Sequence, residues 1–263
     1  MKKTILTVIL ICLSLGFSSI RSESFILSSK TSTSNSLEIN IDIDELTEIN
    51  GYTKITSNTN SHTVDEGFPE LPAYTTFYQL DISKNYEIEL VMSNSYLMND
   101  IKVFPYQGNN ENTNLDLLAK EDFYSSDDIY PLNNIYTSDR MHSRGFDIIA
   151  IEVIPFIYSP ETNSLEVFTN VEVLINEVGE RETDINQTTK RSRAMDSLLE
   201  NLVINFESST REEDYQLPSI LYICGGSSEN NSNFQNLVEW RHQQGYVVNT
   251  ASLGETGSSA SSI

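Results

Sequence analysis

Residues 147–175 read DIIAIEVIPFIYSPETNSLEVFTNVEVLI and contain two apolar runs on either side of a polar turn. In residues 165–175 apolar and polar side chains alternate over the whole length, which is typical of a strand with one buried face. Residues 147–155 predict a second strand, and residues 158–164 predict the turn that joins the two. This strand–turn–strand unit is the clearest structural signal in the sequence.

Shorter segments upstream show a similar pattern. They cover residues 37–46, 51–55, 75–80, 86–91 and 101–105. Residues 67–74 read GFPELPAY, and their two prolines favour an extended backbone in the residues before them. Short alternating strands joined by turns, without a long helical pattern, predict an antiparallel β-sandwich over about residues 37–177. We assign residues 23–178 to this domain.

The composition excludes one class of function. The 263 residues contain 38 acidic and 16 basic side chains, which gives a formal net charge of −22. A nucleic-acid-binding protein needs a basic surface, and this chain does not provide one. The sequence therefore predicts no nucleic-acid partner.

The N-terminus predicts export. Lys2 and Lys3 precede the apolar run Thr4–Leu15, and small residues follow it. These are the parts of a secretory signal peptide, which we place at residues 1–22. The apolar run is shorter than the ~20 residues that span a bilayer, and no other segment is long enough. We expect a secreted or cell-surface protein without a stable membrane span.

From residue 179 to residue 216 the sequence becomes polar and charged, and we predict a linker. It contains the basic cluster Lys190–Arg193 and the separate Arg211. Flexible linkers are preferred sites of proteolysis, so the predicted processing sites are Arg191, Arg193 and Arg211. The alternative is that these charges are only solvated linker residues.

Residues 217–263 follow a different pattern. SILYIC (219–224) predicts a strand, NFQNLVEWRHQQG (233–245) a helix that ends at Gly245, and YVV (246–248) a second strand. The helix face formed by Phe234, Leu237, Val238 and Arg241 predicts packing on a sheet, and Ser232 or Asn233 is the predicted N-cap. Strand, helix and strand in this order predict the start of a parallel α/β domain.

Few residues of the chain could carry catalysis. Cys224 is the only cysteine left after the signal peptide, so no intrachain disulfide is expected. Its position at the end of a buried strand favours a core residue over a nucleophile. His242 is expected on the helix surface, and His62 and His142 in polar loops without metal-ligand spacing. Trp240 is expected to pack at the margin between helix and sheet.

Several motifs together resemble gingipain-type cysteine peptidase precursors. The propeptide part of the resemblance consists of the signal peptide, GFPELP (67–72), and Arg144-Gly145 before IEVIPFIYSP (151–160). LYI (221–223) and LVEWRHQQGYVV (237–248) resemble the start of the catalytic domain. The resemblance covers nearly the whole exported chain, and its main support is the order in which the motifs occur.

The resemblance implies a zymogen whose β-sandwich propeptide packs on and inhibits its own caspase-like catalytic domain. It implies protein or peptide substrates, and it is the only reason to consider calcium, since no cofactor is evident from the residues. The family's catalytic histidine and cysteine follow later strands, so we expect them beyond residue 263. No catalytic residue is assigned, and the chain alone is expected to be inactive.

Two alternatives stay open. The chain could be a non-enzymatic secreted β-sandwich module for binding or adhesion, with a degenerate α/β appendage. It could also belong to a peptidase that processes other exported proteins at the cell surface, which the sequence does not distinguish from a general endopeptidase.

Overall fold

A computed structural model describes residues 24–31, 33–59, 61–108, 117–143, 145–183, 190–211, 214–259 and 261. The predicted signal peptide lies outside these residues. The chain divides into two compact units. The first comprises Met1–Gln187 and Leu198–Glu207, and the second comprises Thr188–Ser197 and Ser208–Ile263.

The first unit consists mainly of antiparallel strands. In chain order its elements are β1 (Phe25–Lys30), β2 (Ser34–Ile39), β3 (Ile43–Ile49), β4 (Tyr52–Ser57), β5 (Ser61–His62), β6 (Pro72–Leu80), β7 (Lys84–Met98), α1 (Glu121–Tyr124), β8 (Ile135–Thr137), β9 (Met141–Ser143), β10 (Phe146–Val153), β11 (Phe156–Ser159) and β12 (Ser164–Glu180). One five-stranded sheet has the order β1-β2-β12-β11, with β7 also paired to β12. The other has the order β5-β6-β10-β8, with β9 also paired to β10, while β3 and β4 form a separate hairpin.

Both sheets contribute to one hydrophobic core. Alternate side chains of β10, including Ile149 and Ile151, belong to the same buried cluster as Leu165 and Val173 of β12. The largest fully buried side chains are Tyr74, Tyr78, Tyr158 and Phe156. Two sheets that share one core form a sandwich. The predicted antiparallel β-sandwich is therefore confirmed.

The two strands predicted within residues 147–175 form, but they do not pair with each other. β10 belongs to one sheet and β12 to the other, and the hairpin partner of β12 is the short strand β11. Pro155 lies between β10 and β11 and has no backbone N–H to donate to a ladder. The chain passes from one sheet to the other at this point, and the hairpin turn is confined to residues 160–163.

A segment far along the chain covers part of the edge of β6. Ile204 donates its N–H to the carbonyl oxygen of Phe77 at 2.9 Å. The Asn205 side chain accepts from the Gln79 N–H at 2.8 Å and donates to the Gln79 carbonyl at 2.9 Å, as a neighbouring strand would. Val203 and Ile204 are buried. The edge of β6 is thus paired at Phe77 and Gln79, which protects this stretch from association with other strands.

The predicted linker is more ordered than the sequence indicated. β12 continues to Glu180, and helix α2 forms over Arg193–Leu202. Residues 198–207 belong to the first unit, whereas residues 188–197 and 208–216 belong to the second. Within the predicted linker, Leu199 and Phe206 are buried, so the apolar residues of this polar region have packing partners.

The second unit confirms the predicted order of strand, helix and strand. β13 (Ser219–Cys224) pairs in parallel with β14 (Val247–Ser252), and helix α3 (Ser232–Gln243) connects them. A short helix, α4 (Leu253–Thr256), follows. Gly245 comes directly after the C-cap residue and has a positive φ of 88°, as a glycine helix stop requires.

Two local predictions about α3 need correction. The N-cap is Asn231, whose side chain accepts hydrogen bonds from the N–H groups of Asn233 and Phe234. Trp240, predicted to pack at the margin of the sheet, is 49% exposed, and the guanidinium of Arg241 lies 4.7 Å from its ring centroid. The predicted apolar face is correct, and Phe234 meets Tyr222 of β13 edge to face at 5.4 Å.

Candidate functional site

The three arginines predicted as processing sites lie in different local structures, and Arg191 is paired through its backbone. Its N–H donates to the carbonyl of Asp214 at 2.8 Å, and its own carbonyl accepts from the Gln216 N–H at 2.8 Å. Arg191 and Tyr215 therefore form a parallel bridge. A protease that binds extended substrate needs these backbone groups. The bond after Arg191 is protected as long as the bridge persists.

The Arg191 side chain is also engaged. Its Nη2 lies 2.7 Å from Oδ2 of Asp196, and the Tyr215 hydroxyl donates to the same oxygen at 2.8 Å. Asp196 and Tyr215 are only 3% and 8% exposed. The hydrogen bond to Asp196, together with burial, raises the pKa of Tyr215 above its ordinary value of 10.0. The phenol is therefore a proton donor at neutral pH.

Arg193 is the first residue of α2, and its peptide groups belong to the helix. Its guanidinium lies 4.4 Å from the centroid of the Tyr215 ring, within the range of a cation–π contact. The side chain is exposed, but a protease would have to unwind the first turn of α2 to extend the chain around it.

Arg211 lies in an irregular segment. It is exposed, its N–H donates to Oγ of Ser209 at 3.2 Å, and its carbonyl accepts from the Asp214 N–H at 3.2 Å. Neither contact belongs to a helix or a strand ladder. Of the three predicted arginines, Arg211 thus has the backbone most accessible to a protease.

Sequence reasoning missed the two residues that hold this region together, Asp196 and Tyr215. An acidic residue in the first turn of a helix is a recognisable signal for Asp196, because it suits the helix dipole. For Tyr215 the sequence carries no comparable signal. Its partner Asp196 lies 19 residues earlier in the chain, and Arg191 lies earlier still. Only the fold brings these residues together.

Cys224 and His242 of the second unit each contact a backbone carbonyl. Cys224 is 4% exposed, and its Sγ points toward the carbonyl of Tyr222 at 4.0 Å. His242 is exposed near the end of α3, with Nδ1 3.3 Å from the carbonyl oxygen of Tyr246. His62 and His142 lie in the strands β5 and β9, not in loops as predicted.

His142 contacts the one buried aspartate of β10. Asp147 is 1% exposed and lies 2.8 Å from Nδ1 of His142, 2.8 Å from Nη1 of Arg181 and 3.2 Å from Nη1 of Arg140. Burial alone would raise the pKa of Asp147, but the hydrogen bonds from His142 and Arg140 and the charge of Arg181 hold it below 3.8. We call these four residues the Asp147 cluster.

The Asp147 cluster has a structural role. Arg140 donates to the carbonyls of Asp81 and Lys84, and Arg181 donates to the carbonyl of Ile82. Both arginines thereby attach the turn between β6 and β7 to β10. Every charged group of the cluster has a partner, so it offers no open position for a substrate.

The described part of the chain has neither a metal-binding cluster nor a helix that could span a membrane. It contains no group of three or more His, Cys, Asp or Glu side chains that could hold a metal ion. No helix in the same part of the chain is long and apolar enough to cross a membrane.

Comparison with known proteins identifies the family. A model of the Propeptide_C25 family matches residues 26–213, which include the sandwich except for Phe25, together with the segment around α2. No curated protein sequence matches the chain.

Two solved structures share the fold of this protein. A chain of the complex of the RgpB pro- and mature domains from Porphyromonas gingivalis is 18% identical, with a TM-score of 0.61, and the match covers 71% of this protein and 100% of that chain. A chain from a structure on the zymogenic latency of gingipain K, from the same organism, is 14% identical, with a TM-score of 0.50, and the match covers 63% and 96% respectively. By the family match, with the fold in agreement, the protein belongs to the Propeptide_C25 family, the gingipain-type propeptides.

Proposed function

We propose that this chain is the N-terminal part of a secreted cysteine endopeptidase zymogen, in which the sandwich binds and inhibits the peptidase domain that begins near residue 217. The observation that carries the proposal is the family match over residues 26–213, followed directly by a parallel strand–helix–strand unit. The signal peptide predicted at residues 1–22 would direct the precursor out of the cytoplasm.

The second unit by itself lacks part of a stable α/β fold. In the described residues its sheet has two parallel strands, and sheets of this kind are normally covered on both faces. Leu221 is 60% exposed, Ile223 39% and Val247 42%. We infer that further strands and helices cover these side chains and that the catalytic histidine and cysteine lie C-terminal to residue 263. This would make the peptidase domain caspase-like, as the resemblance implies.

Two measurements test the proposed function. The reading frame downstream of residue 263 should encode a histidine and a cysteine, each after a predicted buried strand. The purified chain should inhibit a gingipain-type peptidase in a dose-dependent assay and should itself show no thiol-dependent peptidase activity. A frame without these residues, or a chain that binds surfaces without inhibiting the peptidase, would favour the adhesion module instead.

We further propose that the zymogen is processed after Arg211. The protected backbones of Arg191 and Arg193 and the accessible backbone of Arg211 support this choice. Brief digestion of the chain with a low concentration of trypsin should produce a first linker cut after Arg211, identified by mass spectrometry. Arg211→Gln should remove this product, whereas Lys190→Gln, at another exposed basic position, should leave it unchanged.

A further inference from the structure

Strand β7 lies at an edge of its sheet. It is 15 residues long, and in the part of the chain that the structure describes β12 is the only strand paired with it. Every second residue of an edge strand points its N–H and carbonyl groups away from the sheet, where they can pair with another chain. We call this outer side of β7, over residues 85–97, the β7 edge.

The β7 edge lacks most of the devices that protect such edges. The edge of β6 is paired by residues 203–205, but no bridge of that kind joins a described residue to the β7 edge. Residues 85–97 contain neither proline nor lysine. Three of their apolar side chains are well exposed, at 43% for Val91, 47% for Tyr96 and 56% for Leu97. A long edge of this kind is expected to associate with another strand.

The sequence of β7 is complementary to itself. When two copies run antiparallel with Val91 opposite Val91, residues 85–97 of one copy overlap the same residues of the other over their whole length. The opposed pairs are then Tyr86 with Tyr96, Glu87 with Ser95, Glu89 with Ser93, and Leu90 with Met92. No carboxylate faces another carboxylate, and the aromatic and apolar pairs are of the kind that stabilises antiparallel strands.

Asn94 limits the regular part of this pairing. Its φ is 52°, and its carbonyl oxygen accepts from Oγ1 of Thr169 in β12 at 2.7 Å. In the symmetric register Asn94 lies opposite Ile88, so the two strands are irregular at this position on each side of the axis. The regular ladder between the copies is therefore expected over residues 89–93, with the aromatic pairs beyond it.

We propose that two copies of this chain associate through the β7 edge, antiparallel and with Val91 on the two-fold axis. The same residues are used on both copies, so the arrangement is isologous and closes as a dimer. The chain is strongly acidic, with a formal net charge of −22, so like charges oppose the association and salt should strengthen it. The inference concerns the first unit alone and does not depend on the proposed function.

Cross-linking tests the register. The exported chain, residues 23–263, carries Cys224→Ala, so that an introduced cysteine is its only thiol. Val91→Cys places two thiols within reach of a short bifunctional thiol reagent, because directly opposed Cβ atoms lie about 5 Å apart. Leu97→Cys, also exposed on β7, is the matched control, since its two copies would lie about 40 Å apart. Val91→Cys should give at least about tenfold more covalent dimer than Leu97→Cys.

Sedimentation of the exported chain without introduced cysteines measures the association itself. The dissociation constant of the dimer should fall when sodium chloride is raised from about 0.15 M to about 1 M. Ser93→Glu puts a carboxylate opposite Glu89 at two symmetric positions and should raise the dissociation constant about tenfold. Thr47→Glu adds the same charge at an exposed position of β3 and should leave the dissociation constant close to that of the unmodified chain.

Three results would overturn the proposal: an unmodified chain that sediments as a monomer up to about 0.3 mM, equal cross-linking of the two cysteine variants, or equal dissociation constants for Ser93→Glu and Thr47→Glu. If a variant does not fold, as judged by circular dichroism, hydrogen exchange on the unmodified chain decides. The outward amides of residues 89–93 should exchange more slowly as the protein concentration rises, and exchange independent of concentration would refute the dimer. Failure of the peptidase inhibition assay would leave these readouts unaffected.

Discussion

Replacement of Asp147 by asparagine tests whether the Asp147 cluster stabilises the sandwich. The substitution preserves the size of the side chain but removes the charge that faces Arg140 and Arg181. Breaking a buried ion pair costs about 3–5 kcal/mol, because a charge is left without a partner. Here the arginine side chains keep 21% and 35% of their surface in water, so we expect the lower end, about 3 kcal/mol.

The expected loss is large enough to measure. For a domain of this size each kcal/mol corresponds to about 2–4 °C in Tm, so Asp147→Asn should melt about 6–12 °C lower in a circular dichroism melt. Asp139→Asn is the matched control, since Asp139 is exposed in the same region. If both variants melt within about 2 °C of the unmodified chain, the proposed role of Asp147 is incorrect.

The pH dependence provides an independent check of the same cluster. Because the pKa of Asp147 is lower in the folded chain than its ordinary value of 3.8, the carboxylate stabilises the fold above that pH. Its contribution disappears as the pH falls through the lowered value. The difference in stability between the unmodified chain and Asp147→Asn should therefore be full at pH 7 and shrink below about pH 4. A difference that grows on acidification would contradict this assignment.

Three further predictions compare protected with accessible positions. Leu165→Ala should lower the free energy of unfolding in urea by about 2–5 kcal/mol, because Leu165 is 0% exposed. Leu97→Ala, at 56% exposure, should lower it by less than about 0.5 kcal/mol. Equal losses would contradict the assignment of Leu165 to the core. Asn205→Leu removes the side-chain oxygen that accepts from the Gln79 N–H, so the Gln79 amide should exchange its hydrogen faster, and unchanged exchange would refute the edge pairing. Cys224 should react with a thiol reagent much more slowly in buffer than in urea, and equal rates would show that it is not buried.

Local patterns were sufficient to predict which face of β12 and of α3 points inward, but not the exposure of Leu221 and Ile223 in β13. The alternation in residues 165–175 correctly identified the inward face of β12, because successive side chains of a strand point to opposite sides. The helical spacing of Phe234, Leu237 and Val238 correctly identified the inward face of α3 for the same kind of reason. These predictions depend only on the geometry of a single element.

The pairing of elements was beyond the reach of the same patterns. β10 and β12 are consecutive apolar runs, yet they belong to different sheets, since pairing depends on partners far along the chain. Residues 203–205 pair with β6 although more than 120 residues separate Asn205 from Gln79. The polar composition around these residues predicted a linker. Composition does not reveal partners that lie so far away in the chain.

The candidate processing site shows the same division. The sequence by itself determined that the first domain is an antiparallel β-sandwich, that a strand–helix–strand unit follows it, and that basic residues lie between them. Only the tertiary structure distinguished Arg211 from Arg191 and Arg193. Arginine side chains are chemically alike in a sequence, whereas access to a peptide bond depends on the structure that its backbone groups belong to. Arg191 is bridged to residues on the other side of Arg211 and Arg193 begins α2, but the backbone contacts of Arg211 belong to neither a helix nor a ladder.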